Sequence, residues 1–158
     1  MNKKFSRIGN DLLCFILGSV FGYFYKKKKV QGCKGGEKDK KVRQLFDNWL
    51  VLAERGIKLE EYFHKKNIHK VAVYGYADIG NHLVVQLGNT DIEVRYIIDR
   101  RPCSPAGEIK WYRPTDRLPA VDAVIITPVW EYDQIKDALQ HEVSGQIISI
   151  EDIIYELL

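Results

Sequence analysis

Cysteine is scarce in this chain: three residues in 158, and Cys14, Cys33 and Cys103 show neither Cys-x-x-Cys nor Cys/His ligand spacing. An odd, scattered set of this kind indicates neither a disulfide framework nor a zinc site, and reduced cytoplasmic thiols are the default. Histidine adds no metal site either, because His64, His69, His82 and His141 stand at no ligand spacing. None of them neighbours a nucleophile or an acid in a recognisable motif. Ser104, Ser144 and Ser149 lack the setting of a nucleophile elbow, and no glycine-rich stretch ends in the Gly-Lys-Ser/Thr of a phosphate-binding P-loop. No internal repeat is visible. The sequence therefore names no catalytic residue, and a non-catalytic role is the leading expectation.

An excess of positive charge is also missing from most of the chain. The net charge of +3 hides a division: residues 1–43 carry 12 Lys/Arg against 3 acids, and residues 44–158 carry 12 against 18. Affinity for a phosphate backbone needs Lys and Arg gathered on the binding face, so the acidic part is not expected to bind nucleic acid. The hydrophobic fraction of 46% and charged fraction of 28% suit one packed domain with an appendage.

The basic appendage surrounds the longest apolar run. Leu12 to Tyr25 (LLCFILGSVFGYFY) is uncharged, and from Ile8 there are 18 residues broken only by Asn10 and Asp11. As a helix this would cover roughly 27 Å, just short of a hydrocarbon core of about 30 Å. Residues 1–30 are read as a membrane anchor, with Leu12, Phe15, Ile16, Leu17, Val20, Phe21 and Phe24 in lipid and Lys26, Lys27, Lys28 and Lys29 at the headgroups. A cationic cluster this size stays in the cytoplasm, which puts the globular part on the inner side of a bacterial cell membrane. A secretory signal peptide is the rival, but four lysines stand where its small-residue cleavage site would be. A helix buried in a soluble protein is the other alternative. Gly18 and Gly22 form a small-xxx-small pair of the kind that lets two membrane helices approach as a homodimer. Cys14 and Cys33 flank the membrane boundary, open to acylation or left as free thiols.

Residues 31–41, glycine-containing and aperiodic, read as a flexible basic linker, and residues 42–69 as a helical lead-in. Val42, Leu45, Phe46, Trp49, Leu50, Leu52 and Ala53 recur at helical spacing before a stop at Gly56, and a second helix is expected from Lys58 to Lys66. Tyr62 and Lys66 stand at the Tyr-x-x-x-Lys spacing of short-chain dehydrogenases. That pair should follow the glycine-rich turn and here precedes it, so it is read as coincidence.

Lys70 to Tyr74 (KVAVY) is a β-branched run followed by Gly75, Ala77 and Gly80, and then by Ile79, Leu83, Val84 and Leu87 at helical spacing up to Gly88. This is strand, tight turn, helix, with the spacing of the dinucleotide fingerprint G-x-G-x-x-G but alanine in its middle position. Asp78 falls at the helix N-terminus, where it can cap the helix in place of a ligand phosphate. The glycines alone permit a second reading, a tight turn and close helix packing with nothing bound. The next strand, Ile92 to Ile98, ends at Asp99, 24 residues after Gly75 and near where the fingerprint places an acid for a ribose hydroxyl. Arg100 and Arg101 follow, suited to a phosphate or simply exposed.

Ile109 to Tyr112 reads as a short edge strand, Asp122 to Thr127 (DAVIIT) as the most buried strand, ended by Pro128. Then come a helix from Glu131 to about His141, a strand from Gln146 to Ile150, and a short helix carrying Ile153, Ile154 and Leu157. The alternation predicts an α/β fold: a single Rossmann-like three-layer domain over residues 70–158, with a mostly parallel five-stranded sheet ordered 3-2-1-4-5. Ligands in such sheets sit beyond the strand carboxyl ends at the switch point. That gathers Gly75, Tyr76, Ala77, Asp78, Ile79 and Gly80 with Asp99, Arg100, Thr127, Pro128 and Trp130 around one cleft, and Tyr76 or Trp130 would stack on a base or sugar.

The segments KLEEYFHKKNIHKVAVYGYADIG, IDR, DAVIITPVWEYDQI and IISIEDIIYEL resemble a Rossmann-like module of Firmicutes, found beside or fused to glycosyltransferases and other cell-surface polysaccharide biosynthesis proteins. The likeness spans about the last two-thirds of the chain. More distantly, the chain is similar to the N-terminal nucleotide-sugar-binding domain of sialic-acid and bacillosamine acetyltransferases, without their hexapeptide-repeat part. The resemblance implies a binding or regulatory module that takes a nucleotide or nucleotide sugar and partners a polysaccharide-assembly enzyme. An NAD(P)-dependent oxidoreductase and a ligand-free interaction scaffold are the alternatives.

Overall fold

The computed structural model describes residues 36–102 and 109–158. The membrane-anchor residues, the start of the linker and all three cysteines lie outside the described residues. Among the described residues no helix is long and apolar enough to cross a membrane. The chain divides into Met1–Arg43 and Gln44–Leu158. Of the first unit, residues 36–43 are helical, so the last part of the expected linker, residues 36–41, is helix.

The second unit opens with α1 over residues 44–54, whose Leu45, Trp49 and Leu52 are buried at helical spacing. It ends as the glycine signal predicts: Gly56 takes φ +70°, its N–H reaches the Ala53 carbonyl at 3.0 Å, and the Ile57 N–H reaches the Leu52 carbonyl at 2.9 Å. This paired closure satisfies two orphan carbonyls. Helix α2 (Glu60–Lys65) closes the same way through Asn67 at φ 53°, with Asn67 N–H to His64 O at 3.0 Å and Ile68 N–H to Phe63 O at 2.9 Å. Leu59, Tyr62 and Phe63 are buried, so both lead-in helices belong to the same compact unit as the sheet.

The sheet follows: β1 (Lys70–Tyr74), helix α3 (Asp78–Leu87), β2 (Glu93–Ile98), β3 (Lys110–Tyr112), β4 (Ala123–Ile126), a 3-10 turn (Val129–Glu131), α4 (Tyr132–Leu139), β5 (Gln146–Ser149) and α5 (Ile150–Leu157). Its order is β3-β2-β1-β4-β5 and every pairing is parallel. The expected order stands, and the expected "mostly parallel" sheet is wholly parallel because the short edge strand β3 also runs with β2. Ala72, Tyr74, Tyr96, Ile98, Val124 and Ile126 form one face and pack against Ile135 and Leu139 of α4. The alternate residues Val71, Val73, Ile97 and Ile125 turn to the opposite face and are also fully buried. Covering on both faces explains why β1 and β4 read as unbroken apolar runs.

Candidate functional site

The order of the strands reverses at β1, which lies between β2 and β4. Three chain exits meet beyond its carboxyl end: Gly75 to Ala77 after β1, Asp99 to Arg101 after β2, and Thr127 to Trp130 after β4.

Gly75 makes the turn possible. Its φ is +89°, its N–H donates to the Ile98 carbonyl at 2.8 Å, and a Cβ there would stand 2.8 Å from Thr127 Oγ1 and 3.0 Å from the Pro128 ring. Gly80, on the first turn of α3, has its backbone against the same peptide, and a Cβ on it would fall onto the Gly75 carbonyl oxygen. These two glycines serve the turn and the close approach of helix to strand. Thr127 is 3% exposed and braces them, because its hydroxyl lies 3.0 Å from the Tyr74 carbonyl and 2.9 Å from that of Gly75. One hydroxyl proton is shared between the two. Thr127 and Pro128 are therefore placed as supports of the turn.

Asp99 is turned inward. Its Oδ2 accepts the Tyr76 N–H at 2.8 Å and its Oδ1 the Arg101 N–H at 2.9 Å. Its carbonyl accepts from the Trp111 indole at 3.2 Å, and its N–H donates to the Tyr112 carbonyl at 3.1 Å. An ionised carboxylate has about four lone-pair sites, so half its accepting capacity remains for a ligand hydroxyl.

At the start of α3 the structure corrects the sequence reading. Ala77, extended at φ −98°, occupies the N-cap with no side-chain hydrogen bond, and Asp78 sits one place inside the helix. The shift leaves α3 with an N-cap residue whose side chain makes no hydrogen bond, and the first helical bond runs from Asn81 N–H to Ala77 O at 2.8 Å. The exposed Asp78 still lies in the first turn, where a negative charge suits the helix dipole. Ile79 points into the core. The Tyr76 hydroxyl donates to Asn81 Oδ1 at 3.1 Å, which ties the turn to the helix.

Arg100 reaches across the end of β1. The Tyr74 hydroxyl lies against its guanidinium and, with Glu131, raises its pKa above the usual arginine value. Its Nη2 is 3.7 Å from Glu131 Oε2. The other oxygen of Glu131 accepts from the Trp130 indole N–H at 3.0 Å. Of the residues expected at the cleft, Gly75, Tyr76, Gly80, Asp99, Thr127 and Pro128 are brought together at this end of β1, Arg100 and Trp130 meet through Glu131, Ala77 and Asp78 are exposed at the start of α3, and Ile79 is buried. Tyr74, Asn81 and Glu131 were not anticipated. Glu131 carried no sequence signal because it reads as the start of the α4 helix, whereas a 3-10 turn places it level with Arg100.

The Tyr-x-x-x-Lys pair has another use. Tyr62 is buried, and Lys66 Nζ is 5.0 Å from its ring centroid and 3.0 Å from Glu156 Oε2, which joins α2 to α5. Among the described residues no group of His, Cys, Asp and Glu is arranged to hold a metal ion. Comparison with protein-family models, curated proteins and solved structures finds no match to this chain.

Proposed function

We propose that this chain is a membrane-attached, non-catalytic module that binds a nucleotide or nucleotide sugar at the Gly75–Gly80 turn and works alongside cell-surface polysaccharide-assembly enzymes. The observation that carries the binding reading is the meeting, at one end of β1, of an α3 N-terminus whose N-cap Ala77 makes no side-chain hydrogen bond, the Arg100 guanidinium, and an Asp99 carboxylate that accepts two hydrogen bonds among the described residues. A ligand phosphate would sit against the helix amides and Arg100, the ribose hydroxyls on Asp99, and a base against the exposed ring of Trp130. The apolar run before Lys26–Lys29 supports attachment to membrane lipid, and the segments resembling polysaccharide-biosynthesis modules support the partner.

The test is a thermal-shift screen of the full chain with NAD(H), NADP(H), UDP-sugars, CDP-alcohols and coenzyme A. A ligand at about 100 times its Kd adds about 2.7 kcal/mol of stability. A rise with one class that Arg100→Gln reduces is expected. A response confined to nicotinamide cofactors would move the reading toward an oxidoreductase-like protein. A flat response across the panel would overturn the binding reading and favour a ligand-free scaffold. One observation already speaks for that second reading: Thr127, Asp99 and Arg100 all have partners within the protein.

A further inference from the structure

Glu131 and Arg100 stand on opposite sides of β1, one after β4 and the other after β2, so their contact bridges the place where a ligand phosphate would lie. At 3.7 Å, with side chains 38% and 61% exposed, the pair is open to solvent and long for a charge-assisted hydrogen bond. Such a pair contributes little stability and is readily exchanged. Glu131 is not the only group that favours the charged guanidinium, since the hydroxyl of the buried Tyr74 raises the Arg100 pKa more than Glu131 does. Nor is Glu131 free to wander, because the Trp130 indole fixes its other oxygen at 3.0 Å. The carboxylate is thus presented to the arginine from a braced position, as a phosphate oxygen would be.

We propose that Glu131 is an internal stand-in for the ligand's phosphate: it occupies Arg100 and must yield it when a nucleotide binds. The inference rests on the binding reading above and adds an autoinhibitory contact to it. Glu131→Gln isolates the effect, since the amide oxygen can still accept from Trp130 while the competing charge is gone.

The experiment is a calorimetric titration of the full chain with NAD+ and with UDP-glucose, for wild type, Glu131→Gln, Arg100→Gln and the double variant. Glu131→Gln is expected to bind the recognised probe about two- to fivefold more tightly than wild type, the range that loss of an exposed ion pair allows. Because Glu131 acts through Arg100, that gain should vanish in the Arg100→Gln background. Equal or weaker binding by Glu131→Gln, or a gain that persists without Arg100, would overturn the stand-in and leave the binding reading in place. Binding of neither probe by any of the four proteins would overturn both. Unchanged melting temperatures for the unliganded variants separate these outcomes from misfolding.

Discussion

Gly75 and Gly80 lie five residues apart and meet, carbonyl against helix, with the Thr127 hydroxyl beside them. Gly80→Ala should cost about 1–3 kcal/mol by overpacking, because the obstacle is backbone and cannot rotate away; denaturant titration of the full chain would measure it. Thr127→Val, which keeps the shape and loses the hydroxyl, should cost about 1–3 kcal/mol, and Thr127→Ser should recover most of it. If Val and Ser melted alike, the shared hydrogen bond would not be what holds the turn. The glycine spacing was legible in the sequence because a strand, a turn and a helix in succession leave few places for φ above zero. The direction of the Asp99 carboxylate was not, since it depends on how near the Tyr76 amide comes once β1 and β2 pair.

At the scale of elements, β1 is gripped at both ends by residues flanking β4. Thr127 holds its carboxyl end, and at its start Asp122 Oδ2 accepts the N–H of His69 at 2.9 Å and of Lys70 at 2.7 Å. Those two amides hold the Asp122 carboxyl below the ordinary aspartate pKa. A carboxylate whose folded pKa is depressed contributes stability that is present above its unfolded pKa, about 3.9, and lost as pH falls through the folded value. Asp122→Asn should therefore flatten the acid limb of a stability-against-pH curve and change little of its shape near neutrality. The opposite limb belongs in part to Tyr96 of β2, buried with its hydroxyl donating to the Pro119 carbonyl at 2.6 Å and its pKa pushed up to about 12, first by burial and then by Tyr112. Burial favours the neutral phenol, so its contribution is complete below about pH 10 and is lost as pH rises toward 12. Tyr96→Phe should lessen that slope, read from melting temperatures between pH 9 and about 12, and leave the part that belongs to Tyr62, whose pKa burial also raises. The strand order could be read in advance because two fully apolar runs must lie centrally and the shorter, more polar ones outside. Residues 36–41 read as tether, since their lysines and acids have no apolar face to signal a helix, yet they are helical.

For the whole molecule the decisive property is the separation of charge, +9 over residues 1–43 and −6 beyond. The acidic body should be repelled by an anionic surface that attracts the basic segment. Co-sedimentation of the full chain with phosphatidylserine vesicles should therefore fall steeply as salt rises if lysines dominate, and persist at high salt if the apolar run is inserted. Replacing Lys26, Lys27, Lys28 and Lys29 together by Gln should weaken the salt-sensitive part alone. Equal sedimentation with neutral and anionic vesicles at every salt concentration would show that the lysines contribute nothing.

The acidic body also meets itself end to end: Gln44 Nε2 is 3.4 Å from the Tyr155 hydroxyl, and Arg55 Nη1 donates to the Leu158 carbonyl at 3.1 Å. Its first helix and its last are thus clasped near Tyr155 and again at Leu158. A chain nicked in the exposed turn between Arg113 and Asp116 should therefore stay in one piece, its second part held by these contacts and by the pairing of β4 with β1.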